Sequence, residues 1–138
     1  MTKGQPRKNI ARRALGIALC ATPILLALTC ALWPRAPSLA REAAGLVLTI
    51  GATLLGLWNL YLGYVRPWRY RRRHGSPTGY HLVSGLPLVG TLLLVAGCVT
   101  AFGSPLVGCC GLLAALVDSD GLPWIPVHTW EDGSLWDG

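Results

Sequence analysis

The sequence predicts an all-α integral membrane protein with four transmembrane helices, the last one short or re-entrant, followed by a short irregular C-terminal tail. Three observations carry that prediction. Of the 138 residues, 52% are hydrophobic and only 13% charged, with a mean hydropathy of +0.47. Soluble domains carry about 25% charged residues, so half the usual solvating charge is missing. The charge that exists is also segregated: residues 14–34, 43–65 and 74–117 contain no Asp, Glu, Lys or Arg. A bilayer core of about 30 Å is crossed by roughly 20 apolar residues in a helix, and all three runs reach that length. At this length the chain allows one domain.

Residues 1–13 form a basic leader with Lys3, Arg7, Lys8, Arg12 and Arg13. The first span is expected at 14–33, with a kink at Pro23, which removes one backbone donor. A basic start and the small residues Ser38-Leu39-Ala40 mimic a secretory signal. An apolar stretch of about 20 residues exceeds the 7–15 of a signal core, so the segment reads as a retained span. Pro34 and Pro37 close it into an outer loop, 34–42. The second span, 43–65, ends among Trp58, Tyr61, Tyr64 and Trp68, the composition of an interfacial aromatic belt.

Residues 66–81 hold Arg66, Arg69, Arg71, Arg72 and Arg73, five arginines within eight residues. Outside a membrane context such a run suggests nucleic acid. Between two spans it reads as a cytoplasmic loop obeying the positive-inside rule, which places the N-terminus in the cytoplasm as well. A third span is expected at 82–102, broken by the turn signal Gly103-Ser104-Pro105. Residues 105–125 then form either a short fourth span, with a cytoplasmic tail at 126–138, or a re-entrant helix, with the tail outside. The uncharged outer turn and the acidic tail opposite the arginines favour four spans.

Helices in lipid associate through small residues and polar contacts. The second span carries such a face at Gly45, Thr49, Ala52, Gly56, Asn59 and Gly63, spaced 4, 3, 4, 3, 4, with Leu48, Leu55 and Leu62 elsewhere. Asn59 is the one amide in any span and reads as an interhelical hydrogen bond before a polar path. The last apolar segment repeats the spacing at Ser104, Gly108, Gly111, Ala115 and Asp118. Asp118, an acid at the membrane boundary, is thereby aimed at neighbouring helices, and such acids are candidates for function. The recurring SGLPLVG, GSPLVG and DGLPWIP place a proline where a helix must start or stop.

Chemistry is hard to find. Asp118-Ser119-Asp120-Gly121 matches a fragment of a calcium loop, but Leu116 and Val127 stand where acids are required. Cys20, Cys30, Cys98, Cys109 and Cys110 form no CxxC and read as small packing residues. His74, His81 and His128 have no metal-ligand spacing, and no nucleophile or nucleotide motif is present. The expectation is no enzyme, no metal and no cofactor, with no nucleic acid as partner. What remains is a binding surface in the tail. Asp118, Asp120, Trp124, His128, Trp130 and Trp136 combine aromatic anchors with acids, as protein interfaces and lipid belts both do. Residues 1–73 carry all twelve Lys and Arg against one acid, and the remainder carries five acids and neither basic type.

The combination of SGLPLVG, a short Gly-rich apolar stretch, DSDGLPW and HTWEDGSLWD resembles small bacterial inner-membrane immunity proteins paired with secreted polymorphic toxins, including Rhs toxins of type VI secretion. The resemblance covers roughly residues 79–137. It implies a protective protein that meets a cognate toxin at the inner membrane. Beside it stand an accessory subunit of a membrane complex, a small transporter or channel component, and a homo-oligomer.

Overall fold

A computed structural model describes residues 10–75, 85–119 and 121–130. All regular structure among them is helical: α1 (Ile10–Leu32), α2 (Leu39–Leu60), α3 (Arg66–His74), α4 (Pro87–Thr100), α5 (Pro105–Val117) and α6 (Ile125–Thr129). A π-turn at Tyr61–Val65 joins α2 to α3, and a 3-10 turn at Leu122–Trp124 precedes α6.

Two helices are long and apolar enough to cross a membrane: α1, and the continuous helix Leu39–His74. Each begins about four residues before its expected span, because the flanking Arg12, Arg13, Arg41 and Glu42 are themselves good helix formers. α1 continues through Pro23, which lies buried within it. The arginine run is likewise not a loop at its start. Arg66–His74 is helical, as high Arg propensity and the absence of glycine allow, and it stops at Gly75, whose φ of 70° forms a left-handed cap. The π-turn before it follows from Pro67, which lacks a backbone N–H and whose ring crowds the carbonyl four residues back. The Arg66 N–H reaches Tyr61 instead.

α4 and α5 are shorter than the expected third and fourth segments, at 14 and 13 residues. Pro87 and Pro105 sit at their starts, where a missing N–H costs nothing. The last part of the expected 105–125 segment is a turn, then the 3-10 turn and the beginning of α6, so the start of the tail is helical.

The helices form an antiparallel bundle in which α2 packs mainly on α4 and α5, and α5 packs on α1. At one end Gly103, with φ of 87°, turns α4 into α5 and accepts a hydrogen bond from the Arg35 N–H at 2.8 Å. A side chain at Gly103 would strike Arg35. At the opposite end α6 returns to the start of α1, where Arg13 lies 5.1 Å over the Trp130 ring.

The buried core is built of small residues: Ala27, Cys30, Ala52, Cys98, Ala101, Val107, Ala114 and Ala115, with Leu94 the one large side chain in that cluster. Large side chains point outward instead, among them Leu15, Leu19, Leu25, Val47, Leu54, Leu92, Val99, Leu113 and Leu116.

Candidate functional site: the polar end of the bundle

The buried face of α2 consists of Gly45, Thr49, Ala52, Gly56 and Asn59. Gly63 is exposed, while its neighbour Leu62 is buried. Thr49 returns its hydroxyl to the Gly45 carbonyl at 3.0 Å, which lets it lie in the contact without an orphaned donor. On α5, Gly108, Gly111 and Ala115 are buried with Val107 and Ala114. The glycines are needed where backbones touch. A Cβ at Gly45 would fall 2.5 Å from the Ala101 Cβ, one at Gly97 would fall 2.9 Å from the Gly45 carbonyl, and one at Gly108 would strike the Ala31 backbone. The small-residue faces of α2 and α5 are therefore consumed within the chain.

Those two faces converge on one joint. Asn59 is 0% exposed and Asp118 4%. The Asn59 Nδ2 donates to Asp118 Oδ1 at 3.0 Å, and the Asn59 Oδ1 accepts from the Leu86 N–H at 3.0 Å. One amide thus ties α2 to the end of α5 and the start of α4. Asp118 caps the C-terminus of α5, where the helix dipole disfavours an acid, so the Asn59 donor offsets part of that cost. Glycines make room for the carboxylate: a Cβ would come within 2.6 Å of Asp118 Oδ2 from Gly90 and 2.8 Å from Gly121, and one at Gly56 would meet the Asp118 backbone at 3.0 Å.

The chain after Asp118 closes this end. The Gly121 N–H bonds the Asp118 carbonyl at 2.9 Å, and the Leu122 N–H bonds Thr91 Oγ1 at 3.3 Å. Trp124 donates its indole N–H to the Ala115 carbonyl at 3.0 Å, satisfying one of the last acceptors of α5. Between Gly90, Thr91, Ala114, Ala115, Asp118 and Pro123 lies a cavity of about 10 Å³, room for about one water molecule. Beside it, a shallow apolar groove of about 270 Å³ is lined by Leu60, Tyr64, Leu116, Ser119 and Trp124. The Ser119 hydroxyl is buried and has no hydrogen-bond partner among the described residues.

The other end is locked differently. Ser104 caps α5 by accepting from the Val107 N–H at 3.4 Å, and it donates to Glu42 Oε1 at 2.6 Å. Cys30 points its thiol at the carbonyls of Ala101 and Ser104, both at 3.5 Å.

Of the anticipated tail residues, Trp124 is half-buried in the joint and Trp130 is 47% exposed beside Arg13. His128 lies in α6. Asp120 and Trp136 lie outside the described residues. Arg66, Arg69, Arg71, Arg72 and Arg73 are all exposed on α3, with Arg72 4.2 Å over the Trp68 ring. Gly85, Gly90 and Thr91, which complete the joint, escape a reading by composition. The seven-residue interval between Gly90 and Gly97 is the trace they leave. Among the described residues no group of three His, Cys, Asp or Glu side chains is placed to hold a metal ion. Compared with known protein families, curated proteins and solved structures, the chain matches none.

Proposed function

We propose that this chain is a four-pass inner-membrane protein, with both ends in the cytoplasm, that works by binding another protein. The best-fitting role is that of an immunity protein protecting its own cell from a toxin that acts at the same membrane. The observation that carries the membrane part is the inverted distribution of side chains. Leu, Val and Ile cover the outside, while Thr49, Asn59, Thr91, Ser104 and Asp118 are buried. In water this arrangement would forgo the hydrophobic stabilisation of about 25 cal/mol per Å². In lipid it is the expected one, because polar and small residues are what hold helices together there.

Four passes, with a cytoplasmic tail, are supported by the course of α5. It leaves the Arg35 end of the bundle, runs antiparallel to α4 and reaches Asn59, after which α6 sits beside the start of α1. A binding role is supported by how the polar groups are used. Asn59, Asp118, Ser104 and Glu42 are engaged in joints between helices, whereas Trp58, Trp68 and Trp130 are presented outward. The resemblance of residues 79–137 to immunity proteins supplies the kind of partner.

The test is co-expression with a candidate toxin in cells that otherwise lack both proteins. Full-length protein should restore growth, and Trp130→Ala should weaken protection while leaving membrane levels intact. Absence of protection by the full-length protein would sink the immunity reading. Co-purification with a stable set of membrane subunits would then favour an accessory role.

A further inference from the structure

We infer that α3 and the adjoining apolar groove form a binding site for anionic phospholipid: guanidinium groups take the phosphate, and the groove takes the start of an acyl chain. This rests on the membrane reading above. Three observations carry it.

The first is geometry along the helix. α2 and α3 form one continuous helix, Leu39–His74, whose uncharged part runs over residues 43–65. At 1.5 Å per residue those 23 positions rise about 34 Å, enough for the hydrocarbon core of about 30 Å. The next eight residues, holding all five arginines, rise about 11 Å, so they traverse the headgroup layer of about 5 to 8 Å on that side. The arginines are therefore stacked through the phosphate level, not dispersed in the aqueous phase beyond it.

The second is charge. No acid lies within α3, and among the described residues Arg66, Arg69, Arg71, Arg72 and Arg73 make no ion pair. Arg72 lies over Trp68, which holds its guanidinium at the interfacial aromatic belt. Arginine presents a planar fork of donors that suits phosphate. Five such groups, with no carboxylate paired to them among the described residues, are complementary to an anionic leaflet.

The third is the groove at the same end. Tyr64, which lines it with Leu60, Leu116, Ser119 and Trp124, lies two residues before Arg66 and four before Trp68. Its lining is apolar except for Ser119 and Tyr64. The Tyr64 hydroxyl can donate to a lipid ester oxygen at the depth where the hydrocarbon begins. The groove accounts for a site that retains one lipid, where arginines alone would gather a diffuse layer.

The experiment uses full-length protein reconstituted into nanodiscs of zwitterionic lipid with and without phosphatidylglycerol, followed by native mass spectrometry of the retained lipids. The expected result is preferential retention of phosphatidylglycerol. Arg69→Gln/Arg72→Gln/Arg73→Gln should weaken it about a hundredfold, at roughly a fivefold loss per arginine near an anionic surface. Leu116→Trp, which fills the groove and leaves the charge intact, should abolish tight retention but keep the salt-sensitive attraction to anionic discs. Equal retention of both lipids, or indifference to the triple substitution, would overturn the inference. So would tight binding of an RNA or DNA oligonucleotide by α3 in zwitterionic discs. Failure of the protein to enter discs at all would instead strike at the membrane reading itself.

Discussion

Asn59 and Asp118, 59 residues apart in the chain, meet at 3.0 Å in the interior of the bundle and join α2 to the end of α5. The contact is enclosed: the Leu86 N–H occupies the other face of the Asn59 amide, and Gly56, Gly90 and Gly121 are backed against Asp118. It is a joint whose strength should be measurable by removing either side.

Asn59→Ala leaves Asp118 Oδ1 and the Leu86 N–H without their Asn59 partner and should destabilise the folded protein by about 2 kcal/mol, within the range for orphaning a buried polar group. A double-mutant cycle with Asp118→Ala, read by unfolding in mixed micelles, should give a coupling of about 1 kcal/mol, within the range found for polar contacts between helices in membranes. Additive single effects would mean that the two side chains act independently.

Glycines at helix contacts should be sharply position-dependent. Gly108→Ala drives a methyl group into the Ala31 backbone and should cost upwards of 2 kcal/mol, because neither helix backbone can yield as a side chain would. Gly51→Ala meets only the Leu93 Cδ1 at 3.8 Å. It should be neutral, or stabilising by up to about 1 kcal/mol through helix propensity. Thermal aggregation of the two variants in the same detergent checks the contrast.

These glycines show how much of the architecture was legible in the chain. The 4, 3, 4, 3 spacing on α2 and α5 identified the buried faces residue by residue, since helix periodicity is a local property. Gly63 continued the pattern but is exposed, and Leu62, which the spacing put on another face, is buried. The partnership of Asn59 with Asp118 was out of reach for a related reason. Each was recognised as a polar member of a small-residue face, but which members coincide depends on the register between helices. The helical start of the arginine run was readable from propensity, yet topology rules treat a charged run as a loop and say nothing of its conformation.

At the opposite end, Ser104 both caps α5 and holds Glu42. Ser104→Ala removes both bonds and should cost about 1 to 2 kcal/mol. Glu42→Gln, which retains an acceptor oxygen for the Ser104 hydroxyl, should cost about half that or less. A larger loss for Glu42→Gln than for Ser104→Ala, in chemical denaturation of the purified protein, would show that Glu42 acts through something other than this contact.

The cysteines separate a membrane surface from a watery one. Cys109 is exposed at the bundle surface, while Cys30 and Cys98 are fully buried. In intact membranes none of the three should react with a charged, impermeant maleimide. A lipophilic maleimide should modify Cys109 well before Cys30 or Cys98. Rapid modification of Cys109 by the charged reagent, followed by mass spectrometry, would place that face of α5 in water.

The central claim is that α4 and α5 each cross the membrane, returning the chain to the side from which α1 starts. Its most direct test is a pair of full-length fusions with green fluorescent protein or alkaline phosphatase after Gly138, expressed in a bacterial host. Strong fluorescence and background phosphatase activity are expected, the signature of a cytoplasmic C-terminus. An active phosphatase fusion with a dark fluorescent one would place the C-terminus in the periplasm and contradict four crossings.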